Sequence, residues 1–112
     1  MMSYEKLHVY QCSIEFLGIS TQILEHLPHG HGVIKDQLKR ASISIPLNIG
    51  EGAGKRTKAD CNRYFTSARG SAMECGAVID VCRKLGIVES ETAKSGKELL
   101  ERIVAMLTKM TR

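Results

Sequence analysis

The chain of 112 residues has no tryptophan, and aromatic residues make up only 4% of it. So few aromatic rings leave little to build an aromatic core or a platform for stacking bases, and favour helices packed through aliphatic and small side chains. No apolar run approaches the length that a membrane-spanning helix needs. The start, Met1-Met-Ser-Tyr-Glu-Lys6, lacks a basic stretch followed by an apolar one, so secretion is not indicated and a cytoplasmic location is the expectation. Length allows one domain with a single core, residues 1–112.

What is present is ordinary in amount and uneven in placement. Hydrophobic residues are 43% and charged residues 25%, as in a globular domain. Net charge is +4, but residues 1–34 set Lys6 against Glu5, Glu15 and Glu25. Residues 35–69 hold eight basic side chains against three acidic ones, an excess of +5. Residues 70–112 hold seven against six. A clustered excess attracts polyanions by counterion release, so Lys55, Arg56, Lys58, Arg63 and Arg69, with Lys39 and Arg40 secondary, are the candidate phosphate contacts.

Apolar periodicity predicts four helices and no strand, an all-α up-down-up-down antiparallel bundle, because connections of about five residues cannot cross the length of a long helix. The first helix is expected over residues 4–27, with a seam of Leu7, Tyr10, Ile14, Leu17, Thr21 and Leu24. Leu27-Pro-His-Gly-His-Gly32 ends it. The second helix spans about 33–52. The third opens on a capping-box spacing, Thr57 to Asp60, and carries Cys61, Phe65, Ala68, Ala72, Cys75, Ile79 and Cys82 to a stop at Gly86. The fourth follows a Ser90 cap and carries Leu99, Leu100, Ile103, Val104, Leu107 and Met110.

The second helix breaks local rules. Pro46 cannot donate to Ser42 and collides with its carbonyl, which predicts a kink at a cost of about 3 kcal/mol, with Ser42 and Ser44 available to the freed backbone. Asn48 falls on the core face with Ala41, Ile45 and Gly52, so it needs a partner. Arg63, Arg69 and Ser71 are candidates to meet Asn48 or Glu51 in a structural polar network, with Asn48, Glu51 and Ser71 its expected members. At 100° per residue, Ile43 and Leu47 point away from the Ile45 face, and Thr66, Gly70, Met73 and Ala77 point away from the Ala68/Ala72 seam. A helix apolar on both sides is buried on both sides, so these six residues are the expected interface of a homo-oligomer.

Motifs with chemistry fail on inspection. Gly50-Glu-Gly-Ala-Gly-Lys55-Arg56 lacks the first glycine and the Ser or Thr of a phosphate loop, and follows a helix instead of a strand. Glu5-Lys-Leu-His8 matches half of a di-iron site and has no second copy. His29-Gly-His31 reads as a polar loop, so neither metal nor cofactor is expected. Cys75 and Cys82 stand two turns apart, about 10.5 Å, too far to bridge. With Cys61 they act as small core hydrophobes, and Cys12 is a candidate to join them. No nucleophile and base complete a constellation, so no enzyme is expected.

The pattern Gln37-Leu38-x-Arg40-Ala41-x-x-Ser44-Ile45-Pro46-x-Asn48-Ile49-x-Glu51-Gly52, with Ala68-x-x-Ser71-x-x-Glu74, resembles the 23S rRNA intervening-sequence proteins. It is similar, more distantly, to the accessory variability determinant proteins of diversity-generating retroelements. Gly50 and Cys75 depart from the residues usual at those positions. The resemblance covers almost the whole chain and implies a cytosolic, non-enzymatic bundle assembled as a homopentamer. RNA or DNA binding through a basic surface is its implied role, and the alternative is a scaffold that docks a protein such as a reverse transcriptase. No zinc knuckle or recognition-helix pattern points to sequence-specific reading.

Overall fold

The computed structural model describes residues 1–112. Four helices follow a short 3₁₀ turn at Ser3–Lys6: α1 His8–His26, α2 Gly32–Ala53, α3 Lys58–Leu85 and α4 Ser90–Met110. Each packs only on its neighbours around a ring, α1 on α2, α2 on α3, α3 on α4 and α4 on α1, within an envelope of 44 × 25 × 22 Å. Contacts across the seams run in opposite residue order, such as Asn62 to Thr111 and Arg69 to Thr108, which makes the neighbours antiparallel. The result is the four-helix bundle that the spacing predicts.

Helix ends follow local chemistry. The Thr57 hydroxyl accepts from the Asp60 amide at 3.1 Å. The return bond of a capping box is absent, because the Asp60 carboxylate turns to Arg63, 3.8 Å away. Gly86 ends α3 at φ 70°, a left-handed conformation with little cost only for glycine, and its amide donates to the Arg83 carbonyl. Ser90 does not cap α4: Glu89 holds the cap position without a side-chain bond, and Ser90 is the first helical residue. The start of α1 also differs from the expectation. Leu7 is extended and separates the 3₁₀ turn from α1, whose first residue is His8.

The α1 seam is shifted by one residue, about 100° of rotation, from the expected one. Val9, Ser13, Phe16, Ser20 and Ile23 are buried, where Tyr10, Ile14, Leu17, Thr21 and Leu24 were expected. Ile14 is 44% exposed, and Tyr10, Leu17 and Leu24 are half-buried flanks. Two serines cause the displacement. A hydrophobic pattern discounts them, yet each is paired: Ser13 Oγ donates to the Tyr10 carbonyl, and Ser20 Oγ lies 2.6 Å from Ser42 Oγ. Ser42 itself donates to the Leu38 carbonyl at 2.6 Å, so its proton is committed and Ser20 must be the donor between them.

The α3 seam is as read, with Phe65, Ala68, Ala72, Cys75, Ile79 and Cys82 buried and Cys61 half-buried. In α4, Leu99, Leu100, Ile103 and Leu107 are buried while Val104 and Met110 flank them. Burying each large aliphatic contributes about 1.5–3 kcal/mol. Helix α2 continues through the buried Pro46 to Ala53. The Ser42 hydroxyl serves the Leu38 carbonyl and Ser20.

At Gly52 α2 packs tightly against α3. A Cβ there would meet the Phe65 ring at 2.8 Å and the Tyr64 Cβ at 3.1 Å. Gly18, by contrast, has open space around the position of a Cβ. Gly52→Ala is therefore expected to lower unfolding free energy by about 1–3 kcal/mol, as overpacking does. Gly18→Ala should raise it by up to about 1 kcal/mol through helix propensity. Urea titration of both variants checks the pair, and equal effects would contradict the packing.

Candidate functional site

The candidate basic residues do not form one patch. Lys55, Arg56 and Lys58 sit in and beside the α2–α3 turn, and Arg63 stands about one turn further along α3. Lys39 and Arg40 are exposed on α2 about 22 Å from that turn, at 1.5 Å per residue. Arg69 is half-buried and engaged, its Nε donating to Thr108 Oγ1 at 2.7 Å. It braces α3 against α4.

At the turn the charges differ in freedom. Lys55 pairs with Glu51 at 3.4 Å and Arg63 with Asp60 at 3.8 Å, surface pairs worth little in water. Arg56 and Lys58 are exposed and in no ion pair. Between these cations lies a residue the sequence reading passed over. The Tyr64 ring has Lys55 Nζ 5.1 Å and the Arg63 guanidinium 5.4 Å from its centre, within cation–π range. Its only sequence signal was adjacency to Arg63; Lys55 comes to it through the turn.

The polar network is smaller than expected and centred elsewhere. Asn48 Nδ2 donates to the Ser44 carbonyl at 2.8 Å and to Ser44 Oγ at 2.9 Å. Ser71 Oγ donates across the seam to Ser44 Oγ at 2.8 Å. Asn48 and Ser71 thus meet through Ser44, which the expectation assigned to the proline. Glu51 is no member: it is exposed and faces Lys55. Arg63 and Arg69 are bound elsewhere too. The arrangement holds α2 and α3 in register and contains no base that could activate its hydroxyls.

The six residues expected at an oligomer interface all lie at the surface of the chain. Ile43 is 38% exposed, Leu47 66% and Met73 55%, and Thr66, Gly70 and Ala77 are exposed as well. Val81, 48% exposed and one turn beyond Ala77, extends the α3 stripe. Ile43 also edges a groove of about 560 Å³ between α1 and α2, lined by Leu17, Leu24, Lys35 and Lys39 among others.

The four cysteines are free thiols. Burial pushes the Cys75 thiol up to about 11, with the Ser42 bond pulling the other way and the Glu74 charge adding to the rise. Burial also raises Cys82. Both are core groups without access to water. Cys61 donates to the Lys55 carbonyl at 3.4 Å. No group of three or more His, Cys, Asp or Glu side chains is placed to hold a metal ion. No helix is long and apolar enough to cross a membrane.

The fold and its polar seams define the class first: an antiparallel four-helix bundle. Residues 5–109 match the 23S rRNA-intervening sequence protein family, so the chain belongs to that family. Among solved structures it is similar to a protein of unknown function from the S23 ribosomal protein family of Bacteroides thetaiotaomicron. The two share 21% identity over 93% of this chain and 98% of the other, with a TM-score of 0.85, a likeness of fold alone. No curated protein matches the chain.

Ser44 carries the α2–α3 polar seam, so Ser44→Ala leaves the Ser71 hydroxyl without its partner while the Asn48 bond to the backbone survives. The expected loss is about 1 kcal/mol, limited by the half-buried setting that lets water substitute. Asn48→Ala in the same background should add less than it does alone. Additive losses in a double-mutant cycle would separate the two bonds.

Proposed function

We propose that the protein is a non-enzymatic homo-oligomer that binds RNA or DNA through phosphate contacts with little sequence preference. The observation that carries the binding half is the α2–α3 turn, where Arg56 and Lys58 are exposed and unpaired beside Lys55, Arg63 and Tyr64. A polyanion laid there gains counterion release from the cations, and the half-buried Tyr64 offers a ring beside them that a base could approach. The family takes its name from 23S rRNA intervening sequences, which puts RNA among the candidate ligands. Lys39 and Arg40 are too distant for the same phosphates and serve only a longer strand.

The oligomer half rests on the exposed apolar residues of α2 and α3. Leu47 and Met73 are more than half exposed, and their neighbours Gly70 and Ala77 are small enough to let another helix come close. Five subunits is the number implied by the family resemblance. In such an assembly each copy brings its own basic turn, so weak single sites add into avid binding.

Light scattering on size-exclusion chromatography, with a mixed RNA and DNA pool, tests both halves. Four phosphate contacts predict an affinity for single strands that falls about 50-fold between about 50 and about 200 mM salt. Arg56→Glu with Lys58→Glu should abolish uptake and leave the mass unchanged. Binding that ignores salt, or none at low salt, overturns the nucleic-acid reading and favours a scaffold that docks a protein such as a reverse transcriptase.

The oligomer has a separate prediction. Leu47→Glu places a charge in the apolar stripe and should give a folded monomer by mass and circular dichroism. An assembly unchanged by Leu47→Glu removes α2 from the interface.

A further inference from the structure

The groove between α1 and α2 and the outer stripe of α3 match each other in shape, height and charge. Leu17, Thr21 and Leu24 wall the groove from α1, and Lys39 and Ile43 wall it from α2. Glu25, Lys35 and Asp36 line its far end with charges of both signs. The α3 stripe consists of the small residues Thr66, Gly70 and Ala77, with Met73 as its one long side chain. A Cβ at Gly70 would meet nothing within 4 Å. Side chains this small let a whole helix sink into a groove between two others.

Two hydroxyl pairs set the heights. Ser44 meets Ser71 across one seam and Ser20 meets Ser42 across the other, so levels can be counted from them at about 1.5 Å per residue. Measured from the Ser44–Ser71 bond toward the Gly86 end, Leu24 and Ala77 both stand about 9 Å up. Leu17 and Gly70 both stand about 1.5 Å down, and Met73 falls between the two levels. A second copy standing alongside and the same way up therefore brings its Met73 to the groove between Leu17 and Leu24.

Charge agrees with height. Glu74 stands about 3 Å below Lys39 on that scale, and neither makes an ion pair within its own chain. Glu74 lies about 60° round α3 from Ser71, which meets α2, and Met73 about 40° from Arg69, which meets α4. Between copies the same way up, the α2 side of the entering α3 faces the α2 wall of the groove. That turns Glu74 toward Lys39 and Met73 toward the apolar wall of α1.

We propose that copies of this chain join by a heterologous contact, the α3 stripe of each seated in the α1–α2 groove of the next. This rests on the homo-oligomer reading above and adds which surfaces meet. The helices pack in the ring order α1, α2, α3, α4, so the α3 corner is not directly behind the α1–α2 groove. Successive copies therefore turn about an axis, as a closed ring requires.

The test is mass by light scattering on wild type, Ile43→Glu, Met73→Glu and a 1:1 mixture of the two variants, with folding checked by circular dichroism. Each variant alone lacks one of the two surfaces that every contact needs, and should be a folded monomer. Mixed, Met73→Glu supplies an intact groove and Ile43→Glu an intact α3, so the product should be a heterodimer and nothing larger. Lys39→Glu and Glu74→Lys should each raise the concentration for half assembly about tenfold, and the double variant should return it to within about threefold of wild type. A monomeric wild type overturns the homo-oligomer reading itself. If wild type assembles, the heterologous pairing alone is overturned by variants that stay monomeric when mixed, by one that still assembles by itself, or by charge reversals whose losses add.

Discussion

The bond between the hydroxyls of Ser20 and Ser42 is the constraint on which the rest of the bundle hangs. Both groups are fully buried; Ser20 has Ser42 as its partner, and Ser42 also serves the Leu38 carbonyl and lies 3.7 Å from Cys75 Sγ. A slip of α1 against α2 by one residue would orphan the Ser20 hydroxyl at about 1–3 kcal/mol, a large fraction of the stability of a small domain, while Ser42 kept its bond to the Leu38 carbonyl. Aliphatic contacts alone are more forgiving, since leucines and isoleucines exchange neighbours at modest cost. The other seams repeat the device with different partners: Ser44 and Ser71 between α2 and α3, Arg69 and Thr108 between α3 and α4, Arg102 and His8 between α4 and α1. Apolar burial drives the helices together, and the polar contacts across each seam set their height. No buried side-chain nitrogen or oxygen is left without a partner.

How much of the fold was legible follows from which residues carry each seam. Helices α3 and α4 were readable almost position by position, because their inner faces are written in Phe, Ile, Leu, Ala and Cys. Helix α1 was readable in extent and misread in rotation. Its inner face includes Ser13 and Ser20, whose burial depends on partners a sequence pattern cannot see, one of them 22 residues away in α2. The apolar residues beside them then formed a false stripe of the same period. The Ser90 cap failed for a related reason: several residues near a helix start can cap it, and tertiary position decides among them.

The candidate site was legible in kind and less so in place. The basic excess of the middle third is real in the sequence, but a helical hairpin folds it into separate pieces. Lys39 and Arg40 go to mid-helix, Arg69 to an internal brace, and only Lys55, Arg56, Lys58 and Arg63 stay together. Glu51 follows Lys55 because four residues along a helix is one turn. Tyr64 was overlooked because a low aromatic content argues against a stacking surface on average, and an average hides a single well-placed ring. Cys12 joins the core as its small apolar side chain allows, while its contact with Arg102, 90 residues on, has no signal in the sequence.

The up-down-up-down path puts Met1, Arg112 and the α2–α3 turn at one pole of the molecule, as the packing of Tyr4 beside Gly50 and the reach of Asn62 to Thr111 attest. The opposite pole holds the turns around Gly30 and Gly86. Anything joined to residue 1 or 112, whether an affinity tag, a fluorophore or a neighbouring polypeptide, therefore emerges beside Arg56 and Lys58 and competes for the same space and charge. A label carried on the Pro28–His31 turn would sit roughly the length of the bundle away, leaving the basic pole unobstructed.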